Sequence, residues 1–245
     1  LNVEVISNNI ANMNTVGFKR QRAEFQDLLY QNVERMGAQS SSQGTVVPTG
    51  IQIGSGVKAG SVYRITEQGS PNRTGNTYDI AIQGKGYFQI TLPSGELAYT
   101  RAGNFTMSND GTLITSQGYA VQPPVQIPAG AQSITIAPDG TVSAIAPGSA
   151  EPTLIGQLSV ASFINPAGLR AIGDNFLVET AASGPAELGF AGENGRGQIR
   201  QGMLESSNVN VVEELVDMIE TQRAYEINSK AITTSDQMLA KLAQL

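Results

Sequence analysis

Asn8-Asn-Ile-Ala-Asn-Met-Asn-Thr-Val-Gly-Phe-Lys-Arg20 is an Asn-rich segment that reads as the end of a helix, with its stop at Gly17. Upstream, Val3, Ile6, Ile10 and Met13 recur at spacings of 3, 4 and 3, a heptad-like apolar stripe on one helix face. Thr15-Val16-Gly17 ends that face, because glycine takes the left-handed position past a helix end without a Cβ penalty. Phe18, Phe25, Leu28 and Leu29 mark a second apolar run, so a helical core segment is expected over residues 1–30. Helices this short are marginal alone in water. The segment therefore needs a partner.

The far end supplies one. Residues 208–245 read as a single long amphipathic helix. Asn208 or Asn210 can cap its start, with Glu213 in capping-box position. Glu213, Glu214 and Asp217 sit in the first turns, where the helix dipole favours negative charge. Val212, Val216 and Ile219 form one apolar stripe, and Ile227, Ala231, Thr234, Met238 and Leu242 continue it. The phase slips across residues 221–226, which suits a multi-helix tube better than one two-stranded coil.

Between the ends the character changes twice. Residues 31–61 are rich in Gly, Ser and Gln, a linker composition, yet they carry Val46, Val47, Ile51, Ile53 and Val57. A free linker has no use for β-branched residues, so an extended, hairpin-like arm ordered on a neighbouring subunit is expected. Residues 62–202 are strands punctuated by turns. Pro93-Ser-Gly95, Asn109-Asp-Gly111 and Pro138-Asp-Gly140 each separate two short apolar runs, which is a strong local hairpin signal. Residues 154–163 and 175–179 read as further strands, and 184–197 as a return loop. The expected class is α+β. Terminal helices 1–30 and 203–245 pair as a coiled-coil-like core domain, with an extended β arm and a central, mainly antiparallel β domain.

Composition narrows the chemistry. The 245 residues include no cysteine and no histidine, so there is no disulfide framework, no thiol chemistry and no imidazole base or ligand. A net charge of −6 argues against nucleic acid, whose phosphates require clustered Lys and Arg. Residues 1–60 carry a net +1 and residues 203–245 a net −4, an asymmetry that favours contact between unlike ends. No run of about 18 apolar residues is present to span a membrane, and no secretory leader is visible at the start. Gly84-Lys-Gly86 opens no helix and reads as a turn rather than a phosphate cradle.

The segments Asn8-Asn-Ile-Ala-Asn12, Asn14-Thr-Val-Gly-Phe-Lys19 and Gln222-Arg-Ala-Tyr-Glu-Ile-Asn-Ser-Lys230 resemble the terminal signatures of bacterial flagellar rod and hook proteins. Tyr78-Asp-Ile-Ala-Ile-Gln-Gly-Lys-Gly-Tyr-Phe88 and Tyr99-Thr-Arg-Ala-Gly-Asn-Phe105 are similar to that family's central β domain. The likeness covers nearly the whole chain. Within the family it is greatest to the distal-rod branch, through Gly50-Ile-Gln-Ile-Gly54 and Asp236-Gln-Met-Leu-Ala-Lys-Leu242. The resemblance implies a homo-oligomer growing as an open helical filament, a hollow drive shaft that carries torque and conducts exported subunits. It also implies proximal rod and hook proteins at the shaft's ends, bushing rings around it and a rod-tip cap during assembly. Export by the flagellar type III apparatus, a place in the periplasm towards the outer membrane, and a first helix extending upstream of Leu1 are further implications. No cofactor and no metal are implied.

On that reading the subunit-packing residues are Val3, Ile6, Ile10, Met13, Val212, Val216, Ile219, Ile227, Ala231, Met238 and Leu242, with Val46, Val47, Ile51, Ile53 and Val57 on an intersubunit arm. The rival within the family is another axial protein, a proximal rod or hook subunit. The rival outside it is a cell-wall hydrolase, which needs two carboxylates about 5–10 Å apart. Asp79, Glu96 and Asp110 are candidates, but nothing in their spacing brings a pair together.

Overall fold

A computed structural model describes residues 1–33, 49–148 and 151–242. Helix α1 (Asn2–Ala11) opens the chain and helix α2 (Val211–Leu242) closes it, with antiparallel strands between them.

The body forms around the hairpins that the turn residues announce. Its largest sheet has five strands in the order Val121–Gln122, Phe88–Thr91, Leu97–Thr100, Phe176–Val178 and Arg170–Gly173. Beside it lies a meander of Ser133–Ile136, Thr141–Ile145 and Thr153–Gln157. Ile80–Gln83 pairs with Gln198–Gln201, and Pro71–Arg73 with Met203–Glu205, so the outgoing chain lies beside the incoming one. Alternate residues on these strands meet in one apolar core that includes Ile80, Ile82, Phe88, Ile90, Phe105, Val142 and Val160. Phe88 and Phe105 meet edge to face at 5.2 Å. Full burial of such a side chain contributes about 1.5–3 kcal/mol, so the body holds itself together.

Three expectations need correction. The helical segment expected over 1–30 ends at Ala11, and Gln21–Asp27 is a strand. Its alternating sequence pairs with Val57–Arg64, from Gln21 opposite Arg64 to Asp27 opposite Val57. Farther out, Tyr30–Asn32 pairs with Gln52–Gly54. The hairpin-like ribbon therefore begins at residue 21, ten residues earlier than the composition change suggests.

Residues 154–163 are not one strand. Leu158 is buried between two strands of different sheets, and its N–H donates to the Gly140 carbonyl. The return loop expected at 184–197 contains the strand Glu187–Phe190, paired with Ser159–Ser162. Glycine-rich flanks masked it in the sequence.

Candidate functional site

The two ends of the chain meet through polar side chains. The Asn9 amide donates to the Gln21 carbonyl (2.8 Å) and to the Glu214 carboxylate (3.1 Å), while its oxygen accepts the Gln21 N–H (2.8 Å). Asn2 Nδ2 donates to Thr221 Oγ1 at 3.1 Å. Asn2 beside Thr221 and Asn9 beside Glu214 make α1 and α2 antiparallel. Arg20 adds ion pairs to Glu213 at 3.3 Å and Glu214 at 4.0 Å. The Asn-rich signature thus sews α1 to the ribbon and to α2.

The start of α2 follows from the same bonds. Asn208 is drawn away from capping: it accepts from the Arg20 N–H and donates to the carbonyls of Ile65 and Glu67. Asn210 caps instead, its side-chain oxygen accepting the Val212 N–H at 3.2 Å. The helix accordingly begins at Val211.

Deeper lies a buried charge cluster that fastens the ends to the body. Glu205 is 1% exposed and accepts from Lys19 Nζ, from Arg101 Nε (2.6 Å) and from the Gly69 N–H (3.0 Å). Lys19 also donates to the Glu67 carbonyl at 2.7 Å. Arg101 spreads its remaining N–H groups over the carbonyls of Ile82, Gly84 and Gly86. The Gly84-Lys-Gly86 turn is therefore a cup for this guanidinium. Burial pulls the Lys19 pKa below its ordinary value; Glu205 opposes that pull and the Arg101 charge adds to it.

Gly17 completes the joint. Its φ is +69°, its N–H donates to the Glu205 carbonyl at 2.8 Å, and an added Cβ would stand 2.7 Å from the Ala102 nitrogen. Sequence reading missed Glu205 and the roles of Asn9 and Asn208. The available signal was a set of lone charges, Lys19 and Arg101, inside the two most distinctive motifs.

The helix pairing uses different faces from those the stripes suggest. On α1, Val5, Ile6 and Asn9 are buried, Val3 is 39% exposed and Ile10 is half-buried, while Met13, in the turn past the helix end, is 38% exposed. On α2, the more covered positions are Val211, Glu214, Met218 and Thr221. Val212, Val216 and Ile219 face outward, and so do Ile227, Ala231, Met238 and Leu242. Only Ile6 of the expected packing residues is enclosed within the chain. On the ribbon, Ile51, Ile53 and Val57 are exposed, and Val46 and Val47 lie outside the described residues.

The hydrolase candidates do not converge. Asp79 is buried, its carboxylate accepting from Thr74 Oγ1 at 2.6 Å and Asn76 Nδ2 at 3.1 Å. Glu96 and Asp110 are exposed at separate turns. Among the described residues no group of three or more acidic side chains could hold a metal, and no helix is long and apolar enough to cross a membrane.

Comparison with known proteins bears on each part of this architecture. Residues 1–19 match the family described as flagella basal body rod protein, residues 81–144 the flagellar hook protein FlgE/F/G D1 domain, and residues 200–245 the flagellar basal body rod FlgEFG protein C-terminal family. The chain belongs to this family of flagellar rod and hook proteins. It is 60% identical over 245 residues to the flagellar basal-body rod protein FlgG of Caulobacter vibrioides, covering 100% of this chain and 94% of that one. It is 50% identical over 240 residues to FlgG of Borreliella burgdorferi, covering 97% and 90%. To FlgG of Bacillus subtilis it is 41% identical over 249 residues, covering 99% and 92%. The chain is a structural subunit of the flagellar distal rod, not an enzyme, and assembles in the basal body with other flagellar components.

Proposed function

We propose that copies of this chain add head to tail in an open helical lattice and build a hollow drive shaft. The terminal helices line its core and the β body lies outside. The shaft transmits torque to the hook and conducts exported subunits along its bore. Proximal rod and hook proteins meet its two ends, bushing rings surround it, and a rod-tip cap guides its growth. The chain reaches this place through the flagellar type III apparatus and stands in the periplasm towards the outer membrane.

One observation carries the reading. Even alongside α1, where Asn9 meets Glu214 and Asn2 meets Thr221, the α2 residues Val212, Val216 and Ile219 are 69%, 49% and 50% exposed. A helix with an open apolar face is stable when a neighbour covers it, and heterologous contacts that do not close give open filaments. The exposed stripe from Val212 to Leu242, with Val3 and Ile10 on α1 and Met13 just past its end, is the subunit-packing surface of this proposal. The arm residues Ile51, Ile53 and Val57, with Val46 and Val47, bridge to neighbouring copies.

Hydrogen exchange on dilute monomer and on assembled shafts tests this. Amides of α2 beyond Thr221 exchange quickly in the monomer and are strongly protected in the shaft. Equal protection in the two states would make the ends part of a self-contained fold and overturn the proposal.

A further inference from the structure

The body joins the rest of the chain through two passages, residues 65–70 going in and 205–210 coming out. They run side by side: Glu205 lies opposite Pro71, and the Ser206 N–H donates to the Ser70 carbonyl at 3.0 Å. Two paired strands define a single line, and a body held only there could turn about it. A third attachment away from that line removes the freedom.

Lys19 supplies it. Its own segment belongs to neither passage, yet its Nζ donates to the Glu67 carbonyl in one and to the Glu205 carboxylate in the other. The socket does not depend on the lysine. Arg101 Nε and the Gly69 N–H also hold that carboxylate, and Arg101 is fixed in turn on the carbonyls of Ile82, Gly84 and Gly86. Beside the lysine, Asn175 Nδ2 donates to the Val16 carbonyl at 3.1 Å. Asn208 adds a second tie between the passages, donating to the carbonyls of Ile65 and Glu67.

The kind of contact decides what the joint can do. Neither apolar cluster of the body includes a described residue before Tyr78 or after Ile199. Apolar contact is non-directional, so surfaces joined by it can slide. A hydrogen bond weakens steeply as its angle bends, and a charge-assisted one is about twice as strong as a neutral one. A polar joint therefore holds an angle.

We infer that Lys19 is the positioning residue that locks the body at a fixed angle to the helix pair and the ribbon, and that this lock sets the stiffness of the shaft. The inference rests on the shaft reading above, in which load passing between outer body and inner helices must cross this joint. Asn208 is the weaker second tie of the same lock.

The chain has no cysteine, so introduced thiols carry spin labels at chosen points. Ser7→Cys on α1 and Ser94→Cys on the body are exposed positions that report across the joint. Ser94→Cys with Ser116→Cys reports within the body, and Ser7→Cys with Asp217→Cys within the helix pair; these positions are exposed too. In the dilute full chain the distance distribution across the joint is narrow. Lys19→Met removes the charge and leaves Glu205 bonded to Arg101 and Gly69; it broadens that distribution, and Lys19→Met/Asn208→Ala broadens it further. Both control pairs stay as narrow as before, whereas loss of a merely stabilising residue would widen them as well. Shafts assembled from unlabelled Lys19→Met chains show a bending persistence length, read by electron microscopy, that is several-fold shorter.

A distribution across the joint that is already broad in the unaltered chain, or that stays narrow in the double variant, would overturn the lock. Lys19→Met shafts as stiff as unaltered ones would overturn its part in stiffness. If the unaltered chain builds no shaft at all, the shaft reading fails and the stiffness claim with it, while the monomer distances still decide the lock.

Discussion

In the body, Phe88, Ile80 and Val142 are completely withdrawn from water; in α2, Ile227, Met238 and Leu242 are 67%, 62% and 68% exposed. The two regions have similar access to aliphatic side chains and use them differently. Strands with turns every few residues bring distant apolar side chains together within one chain. A lone helix cannot do this, because one face stays open unless another element covers it. α1 meets the first turns of α2 chiefly through Asn2, Asn9 and Glu214. Stability in the body is thus intramolecular, whereas the ends are held at a polar joint and keep their apolar surface in reserve.

That contrast can be broken at several points. The largest expected effect is in the body: Phe88→Ala removes a fully buried ring and lowers unfolding stability by about 3–5 kcal/mol, read as a drop in the urea midpoint. At the joint, Glu205→Gln leaves two buried cations short of their carboxylate, and breaking such a pair costs about 3–5 kcal/mol. The double variant Lys19→Met/Glu205→Gln should recover part of that loss, because one stranded cation is gone. A double variant no more stable than the single one would show that Lys19 adds nothing to the joint.

Gly17→Ala comes next. The left-handed φ costs an alanine about 1–2 kcal/mol, and its Cβ would press on the Arg101–Ala102 backbone. Thermal melting reads the total, and an unchanged midpoint would mean that the turn relaxes freely.

A smaller effect is confined to acid. The Asp139 carboxyl is held below its ordinary pKa by the Thr141 N–H and then by the Thr141 hydroxyl. This support is complete above the unfolded carboxylate pKa of about 3.9 and fades as pH falls through the lower folded value. Asp139→Asn should flatten the acid limb of the stability profile and leave neutral pH little changed. The smallest effect on the monomer is Met238→Ser, within about 0.5 kcal/mol. The same substitution should sharply lower the yield of filaments measured by sedimentation. If it instead destabilises the monomer by as much as Phe88→Ala, the division between body and ends is wrong.

Much of this was legible in the residues. Asp110-Gly111 and Asp139-Gly140 announce hairpins because glycine alone accepts the positive φ those turns need at no steric cost. Helix α2 was legible from its length, its capping asparagine and its acidic first turn. The strand Gln21–Asp27 was not, because its register is set by Val57–Arg64 some forty residues away. Glu205 was invisible for a related reason. A charge declares its burial only when its partners are known, and Lys19 and Arg101 come from opposite sides of the body's first hairpins.

The sequence by itself determined the long C-terminal helix, the hairpin turns of the body, the lack of cysteine and histidine in these 245 residues, and the likeness to axial proteins of the flagellum. These follow from local dihedral preferences, periodicity and composition, which need no knowledge of distant neighbours. Only the tertiary structure decided that the ribbon starts at Gln21, that Asn208 ties down the joint while Asn210 caps the helix, and that the stripe through Val212 and Ile219 faces outward. Each of those depends on which long-range partner wins a hydrogen bond or covers a face, and such competition is settled only in three dimensions.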